Sequence, residues 1–172
     1  IEMDARFNVH FLPSVPFIQP EDTVLQVRTR GLGDLTLLGR GMNTQNPEPL
    51  PTDFVPEHRA LSVMISALQK CVRRFQIQES LRLALTLLYT DTDRFWRRLP
   101  IIMVEDSRIT EDLGFLVWCT LASSTKSWRA SQPIISKMLG VVQAMASEGT
   151  TNDWRSVPCP TTQHLTTEFL SN

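Results

Sequence analysis

At 172 residues, with 42% hydrophobic and 20% charged side chains, the chain has the size and composition of a globular domain, which excludes wholesale disorder. Seventeen basic against 18 acidic residues leave a formal net charge of -1, so any nucleic-acid contact must come from a local patch and not from global charge. No run of about 18 apolar residues exists, and no membrane-spanning helix is expected.

Prolines at positions 13, 16, 20, 47, 49, 51 and 56 forbid long helices in the first third of the chain. Residues 6–12 and 23–29 alternate as two brief strands, and Gly31, Gly33, Gly39 and Gly41 mark turns around a further segment at 35–38. Residues 1–42 are therefore expected to form an N-terminal arm or small β subdomain. The polar, proline-rich stretch 43–56 reads as a linker.

From Pro56 the pattern turns helical, and residues 57–172 are expected as a helical bundle domain. Leu61, Met64, Ile65, Leu68, Cys71 or Val72, and Phe75 follow the spacing of one buried face. A second helix over 78–89 carries Leu81, Ala84, Leu85 and Leu88, widened by Leu83 and Leu87. The third, capped by Asp91 or Asp93, contains Phe95, Trp96, Leu99 and the nearly all-apolar run 101–104. Pro100 predicts a kink there, or a helix that starts near Leu99.

Thr110, Glu111 and Asp112 give a fourth helix its N-terminal signal, a capping hydroxyl beside acids that favour the positive dipole end. Leu113, Leu116, Val117 and Leu121 are its expected inner face. Ser131 and Pro133 open a fifth, with Ile134, Ile135, Met138, Leu139, Val142 and Met145 inside, and a weaker helix is read over 162–170. The fold class is mainly α: a bundle of about five to six helices preceded by a proline-rich N-terminal arm with short β-strands.

No motif completes a catalytic or cofactor site. Cys71, Cys119 and Cys159 lack a CxxC or a neighbouring histidine pair, which argues against zinc and a disulfide framework and for an intracellular protein. The chain begins at Ile1, as a processed protein or a piece of a longer one would, and a removed targeting segment stays an open alternative. The glycines at 31–41 match neither a phosphate loop nor a dinucleotide fingerprint, and hairpin turns explain them better. His10, His58 and His164 stand apart, and no nucleophile elbow is present. The expectation is no catalytic residue, no cofactor and no metal.

Charge on the third helix is more informative. Arg94, Arg97 and Arg98 stand near its N-terminus and Glu105 and Asp106 near its C-terminus, opposite to what the dipole favours, at about 0.3–1 kcal/mol for each unpaired charge. Lys70, Arg73 and Arg74 are the candidate partners of the acids, and Glu79, Asp91 or Asp93 those of the arginines. The same cations, together with Arg59 and Arg82, could instead contact phosphate or a partner. Solvated or salt-bridged structure is weighed ahead of nucleic-acid binding, because aromatic residues are not regularly interleaved with the basic ones.

Ala67-Leu68-Gln69-Lys70-Cys71-Val72-Arg73-Arg74, the run from Leu81 to Leu88, and Phe95-Trp96-Arg97-Arg98-Leu99-Pro100-Ile101-Ile102-Met103-Val104-Glu105-Asp106 follow one another between positions 60 and 109. This succession resembles the C-terminal helical region of the clamp-loader-like AAA+ ATPases of the replication-associated recombination protein A and Werner-helicase-interacting family. There an A-L-x-K-x-x-R-x helix is followed by an apolar helix and an R-R-L-x-x-x-x-x-E-D helix. The chain departs from the pattern at Pro100, and Ser107-Arg108-Ile109 replaces the usual glycine-containing run. The resemblance implies an all-α module supporting oligomerisation of an ATPase at stalled replication forks. It carries over no ATPase chemistry, since Walker sequences are absent.

The function expected is a non-catalytic interaction or scaffold part of a larger, nucleic-acid-processing assembly. Its partner is a protein or a second copy of the chain, with Phe7, Phe11, Phe17 and Ile18 as a partner-binding arm. A nucleic-acid-binding module using the basic helical cluster is the alternative, and an enzyme subunit completed by a partner chain the third reading.

Overall fold

A computed structural model gives the structure of residues 1–41, 61–125 and 127–148. Four strands, Glu2–Met3 (β1), Val9–His10 (β2), Thr23–Thr29 (β3) and Gly33–Gly39 (β4), form one sheet in the order β2-β1-β4-β3. Strand β1 runs parallel to β4, and the other neighbours are antiparallel. The β3–β4 hairpin closes through Gly33 at φ +74°, a conformation glycine adopts without a Cβ clash. Thr29 Oγ1 accepts the Leu32 amide at 3.0 Å across that turn.

The two-residue period of the hairpin puts Leu25, Val27, Leu35 and Leu37 on one face and Val24, Gln26, Thr36 and Leu38 on the other. Val27 and Leu37, with Met3 of β1, are buried in the same core as the helices. The N-terminal region therefore builds part of the common core. Of the expected strand over 6–12 only Val9–His10 pairs, and β1 is an additional strand.

A tight turn precedes β2. The Asp4 carboxylate accepts the amides of Arg6 and Asn8 at 2.8 and 2.9 Å, and Phe7 is held at φ +67°. A bond from the Asn8 side chain is the main reason the Asp4 carboxyl lies below its ordinary range. Phe7 then places its ring edge-on to Phe115, with centroids 5.6 Å apart.

Five helices are described: Leu61–Arg73 (α1), Ile77–Thr90 (α2), Thr92–Asp106 (α3), Asp112–Ser123 (α4) and Gln132–Glu148 (α5). The chain is thus mainly α with a small sheet. The linker at 43–56, the helix start at Pro56 and the sixth helix at 162–170 lie outside the described residues. Met64, Leu68 and Val72 of α1 are buried as their spacing requires. After α1 the Gln76 amide bonds the Cys71 carbonyl and the Phe75 amide the Val72 carbonyl, the double bond of a Schellman stop, with Phe75 at φ +59° where glycine is usual.

Three expectations are corrected. Helix α3 starts at Thr92, not near Leu99, and runs through Pro100 in its interior; Asp91 caps it by accepting the Arg94 amide at 3.0 Å. Thr110 does not cap α4, because its hydroxyl is directed at the Met103 sulfur, 3.9 Å away. The inner face of α4 is Phe115, Leu116, Trp118, Cys119 and Ala122, while Val117 is exposed, since this nearly all-apolar helix gives periodicity little to separate.

Trp96, Trp118 and Trp128 are fully buried in a chain of edge-to-face contacts, Trp128 standing 6.0 Å from Trp96 and 6.1 Å from Trp118. Such pairs add about 0.5–1.5 kcal/mol each beyond the area they bury. Gly114 brings α4 against the sheet: a Cβ there would lie 3.2 Å from the Val9 Cβ.

Candidate interaction site

Arg40, directly after β4, fastens the β2–β3 connection to the sheet. Its Nε donates to Glu2 at 2.6 Å, and its Nη1 donates to Asp22 at 2.6 Å and to the Phe17 carbonyl at 2.7 Å. Asp22 also accepts the amides of Gln19 at 2.8 Å and Gly41 at 3.2 Å. The Gln19 amide contributes most to holding the Asp22 carboxyl below the usual carboxylate range. The bond to Glu2 does most to raise the proton affinity of Arg40.

With its backbone tied at Phe17 and Gln19, the connection still leaves apolar side chains in water. Phe11 is 75% and Phe17 83% exposed, and Leu12, Val15 and Ile18 are exposed beside them. Residues 11–16 overhang the outer face of the sheet across a cleft of about 430 Å³, floored by Thr36 and Leu38 and edged by Glu2, Leu32 and Asp34. Three prolines, Pro13, Pro16 and Pro20, fix φ along this stretch and lower the entropy it loses on docking.

Of the residues read as a partner-binding arm, Phe11, Phe17 and Ile18 lie on this surface. Phe7 does not: its ring is an internal contact of Phe115, held there by the Asp4 turn.

The charged residues read from the third helix meet along the α1–α3 seam. Arg73 Nε donates to Asp106 at 2.8 Å and its Nη2 to the same oxygen, while the Asp106 side chain is almost fully buried. Gln69 receives Arg98 Nη2 at 2.9 Å and donates to Glu105 at 3.4 Å, and Arg98 stands 3.6 Å from Glu105. Glu105 is thus partnered by Arg98 of its own helix and not by the basic end of α1. Arg94 pairs with Asp91 at 3.4 Å, and Arg97 donates to the Asp93 carbonyl at 3.1 Å. Among the described residues Lys70 and Arg74 form no ion pair, and Glu79 pairs only with Arg82, at 3.9 Å. Arg59 lies outside the described residues.

Sequence reasoning missed Arg40, Glu2 and Asp22. The signal for them is absent from local pattern, because Arg40 bonds groups 38 and 18 residues away. Among the described residues no group of three or more His, Cys, Asp or Glu side chains could hold a metal ion, and no helix is long and apolar enough to cross a membrane. Burial raises the thiol pKa of both Cys71 and Cys119, which makes them poor nucleophiles. No family model matches this chain, and neither the curated proteins nor the solved structures contain a significant match to it.

Proposed function

We propose that the chain is a non-catalytic, intracellular interaction part of a larger assembly, and that residues 11–18 dock against a second copy of the chain. One observation carries this reading: Phe11 and Phe17 are largely exposed on a segment that Arg40 and Asp22 anchor. Exposed aromatic side chains on a held backbone are the usual anchors of protein interfaces, because docking them removes apolar area from water at little further entropic cost. The oligomerising role implied by the resemblance of residues 60–109 agrees in kind.

Sedimentation velocity over a wide concentration range tests it. The wild-type chain is expected to self-associate, and a Phe11→Ser/Phe17→Ser double variant to remain monomeric at unchanged thermal stability. A wild-type chain that stays monomeric throughout rejects self-docking.

A nucleic-acid-binding module is the second reading, favoured by Lys70 and Arg74, which form no ion pair among the described residues. Oligonucleotide affinity that falls steeply with added salt would support it.

A further inference from the structure

A second surface lies on the helices, away from residues 11–18. On α3, Arg94, Arg97, Ile101 and Val104 recur at spacings of three, four and three residues, and all four are exposed, Ile101 by 40% and Val104 by 52%. This is the spacing by which one helix lays a seam against another. The N-terminal half of the seam is basic and the C-terminal half aliphatic.

Helix α1 extends the same face. Gln69 reaches both Arg98 and Glu105, and Arg73 reaches Asp106, so α1 and α3 run side by side in one direction. Progress along α1 therefore matches progress along α3. Lys70 and Arg74, both exposed, stand beside the Ile101–Val104 stretch, and exposed Val63 lies on the same side of α1 two turns before Lys70.

The charge balance of this face is uneven. Arg73, Arg94 and Arg98 are matched by Asp106, Asp91 and Glu105. Among the described residues Lys70 and Arg74 meet no carboxylate, and Arg97 meets only a backbone carbonyl. Three uncompensated cations thus frame two exposed aliphatic side chains.

We infer that this face docks an acidic amphipathic helix of a protein partner. Its apolar stripe would cover Ile101 and Val104, and its carboxylates would meet Lys70, Arg74 and Arg97. A nucleic acid fits less well, because the centre of the face is aliphatic and none of the residues framing it offers an aromatic ring for a base.

Fluorescence anisotropy tests this with three probes: a designed leucine–glutamate amphipathic helix, its leucine–lysine counterpart, and a mixed-sequence single-stranded oligonucleotide. The acidic helix should bind and the lysine helix should not. Ile101→Asp and Arg97→Glu should each weaken binding at least about tenfold. Arg97 is exposed, so Arg97→Glu should leave the thermal unfolding temperature unchanged, and a loss of binding would then not reflect unfolding. The Phe11→Ser/Phe17→Ser variant should bind the peptide as the wild type does. The inference is overturned if the acidic helix fails to bind, if the arm variant loses it, or if the oligonucleotide binds more tightly and Ile101→Asp leaves that binding unchanged.

Discussion

The hydroxyl of Thr120 on α4 donates to the backbone carbonyl of Trp96 on α3 at 2.7 Å. Trp96 precedes Pro100 by four residues, so its carbonyl is the one that loses its helical donor to the missing proline N–H. The acceptor lies deep in the core, where an unsatisfied backbone group costs about 1–3 kcal/mol. The packing of α4 on α3 thereby supplies what the sequence of α3 withholds. This is why a proline is tolerated inside a core helix.

Thr120→Val keeps the shape and removes the donor, and it should lower stability by about 1–3 kcal/mol in urea unfolding. In a Pro100→Ala background the residue 100 amide can reach the same carbonyl, and the cost of Thr120→Val should shrink. Equal costs in the two backgrounds would mean that the single hydroxyl proton goes instead to the alternative acceptor, the Leu116 carbonyl at 2.8 Å.

Adjacent acids on α3 should behave very differently. Asp106 is buried against Arg73, and its second carboxylate oxygen has no hydrogen-bond partner, whereas the Glu105 side chain is half exposed and 3.6 Å from Arg98. Removing Arg73 strands a buried carboxylate, so Arg73→Ala should cost about 3 kcal/mol, the low end for a buried pair because Arg73 itself is partly solvated. Glu105→Arg should cost under about 1 kcal/mol, as for an exposed pair. Thermal unfolding of the two variants reads the difference, and a Glu105 effect as large as that of Arg73 would contradict it.

How much of this was legible in the sequence follows from the range of the forces involved. The spacing of Leu61, Met64, Leu68 and Val72 marks one helical face because each side chain meets the core from the same side, and the alternation over 23–29 marks a strand for the same reason. The end of α1 was not legible, since Phe75 occupies the left-handed position that glycine normally announces. Nor was the seam of α4, where Phe115 and Trp118 are buried and Val117 is not, although all three are apolar. For the charged seam, the misplaced charges of α3 signalled a need for partners. Which partner each charge took depended on depth: Asp106 faces inward toward Arg73, and Glu105, one residue earlier, turns toward Arg98. The Arg40 anchor left no trace at all, because Glu2 and Asp22 are joined to it only by the fold.

Close approach at Gly114 gives a further prediction. A Cβ at this position would stand 3.2 Å from Val9 Cβ, tighter than ordinary contact, and β2 is the strand that a larger side chain would push away. Gly114→Leu should therefore destabilise by about 1–3 kcal/mol through overpacking, despite the better helix propensity of leucine. Adding Val9→Gly, which removes the Cβ in the way, should recover part of the loss. Absence of any recovery in thermal unfolding would place the strain elsewhere.

Acid should loosen the anchor of residues 11–18 before it unfolds the helices. The Asp22 carboxyl is held below its ordinary value of 3.8, chiefly by the Gln19 amide and then by Gly41 and Arg40. A depressed folded-state value means that the ionised form is the one the fold stabilises, so the contribution of Asp22 is complete above about 3.8 and is lost as pH falls through the lower folded value. Amide resonances of Gln19 and Gly41, followed by NMR from neutral pH downward, should titrate with a midpoint below 3.8 while the indole resonances of Trp96, Trp118 and Trp128 hold still. In Asp22→Asn the neutral amide keeps an acceptor but no charge, so the two backbone resonances should lose that titration and the exchange protection of Gly41 should fall even at pH 7. A midpoint at or above 3.8 in the wild type, or an Asn variant that protects Gly41 as well as aspartate does, would show that Arg40 holds the connection through Glu2 and the Phe17 carbonyl alone.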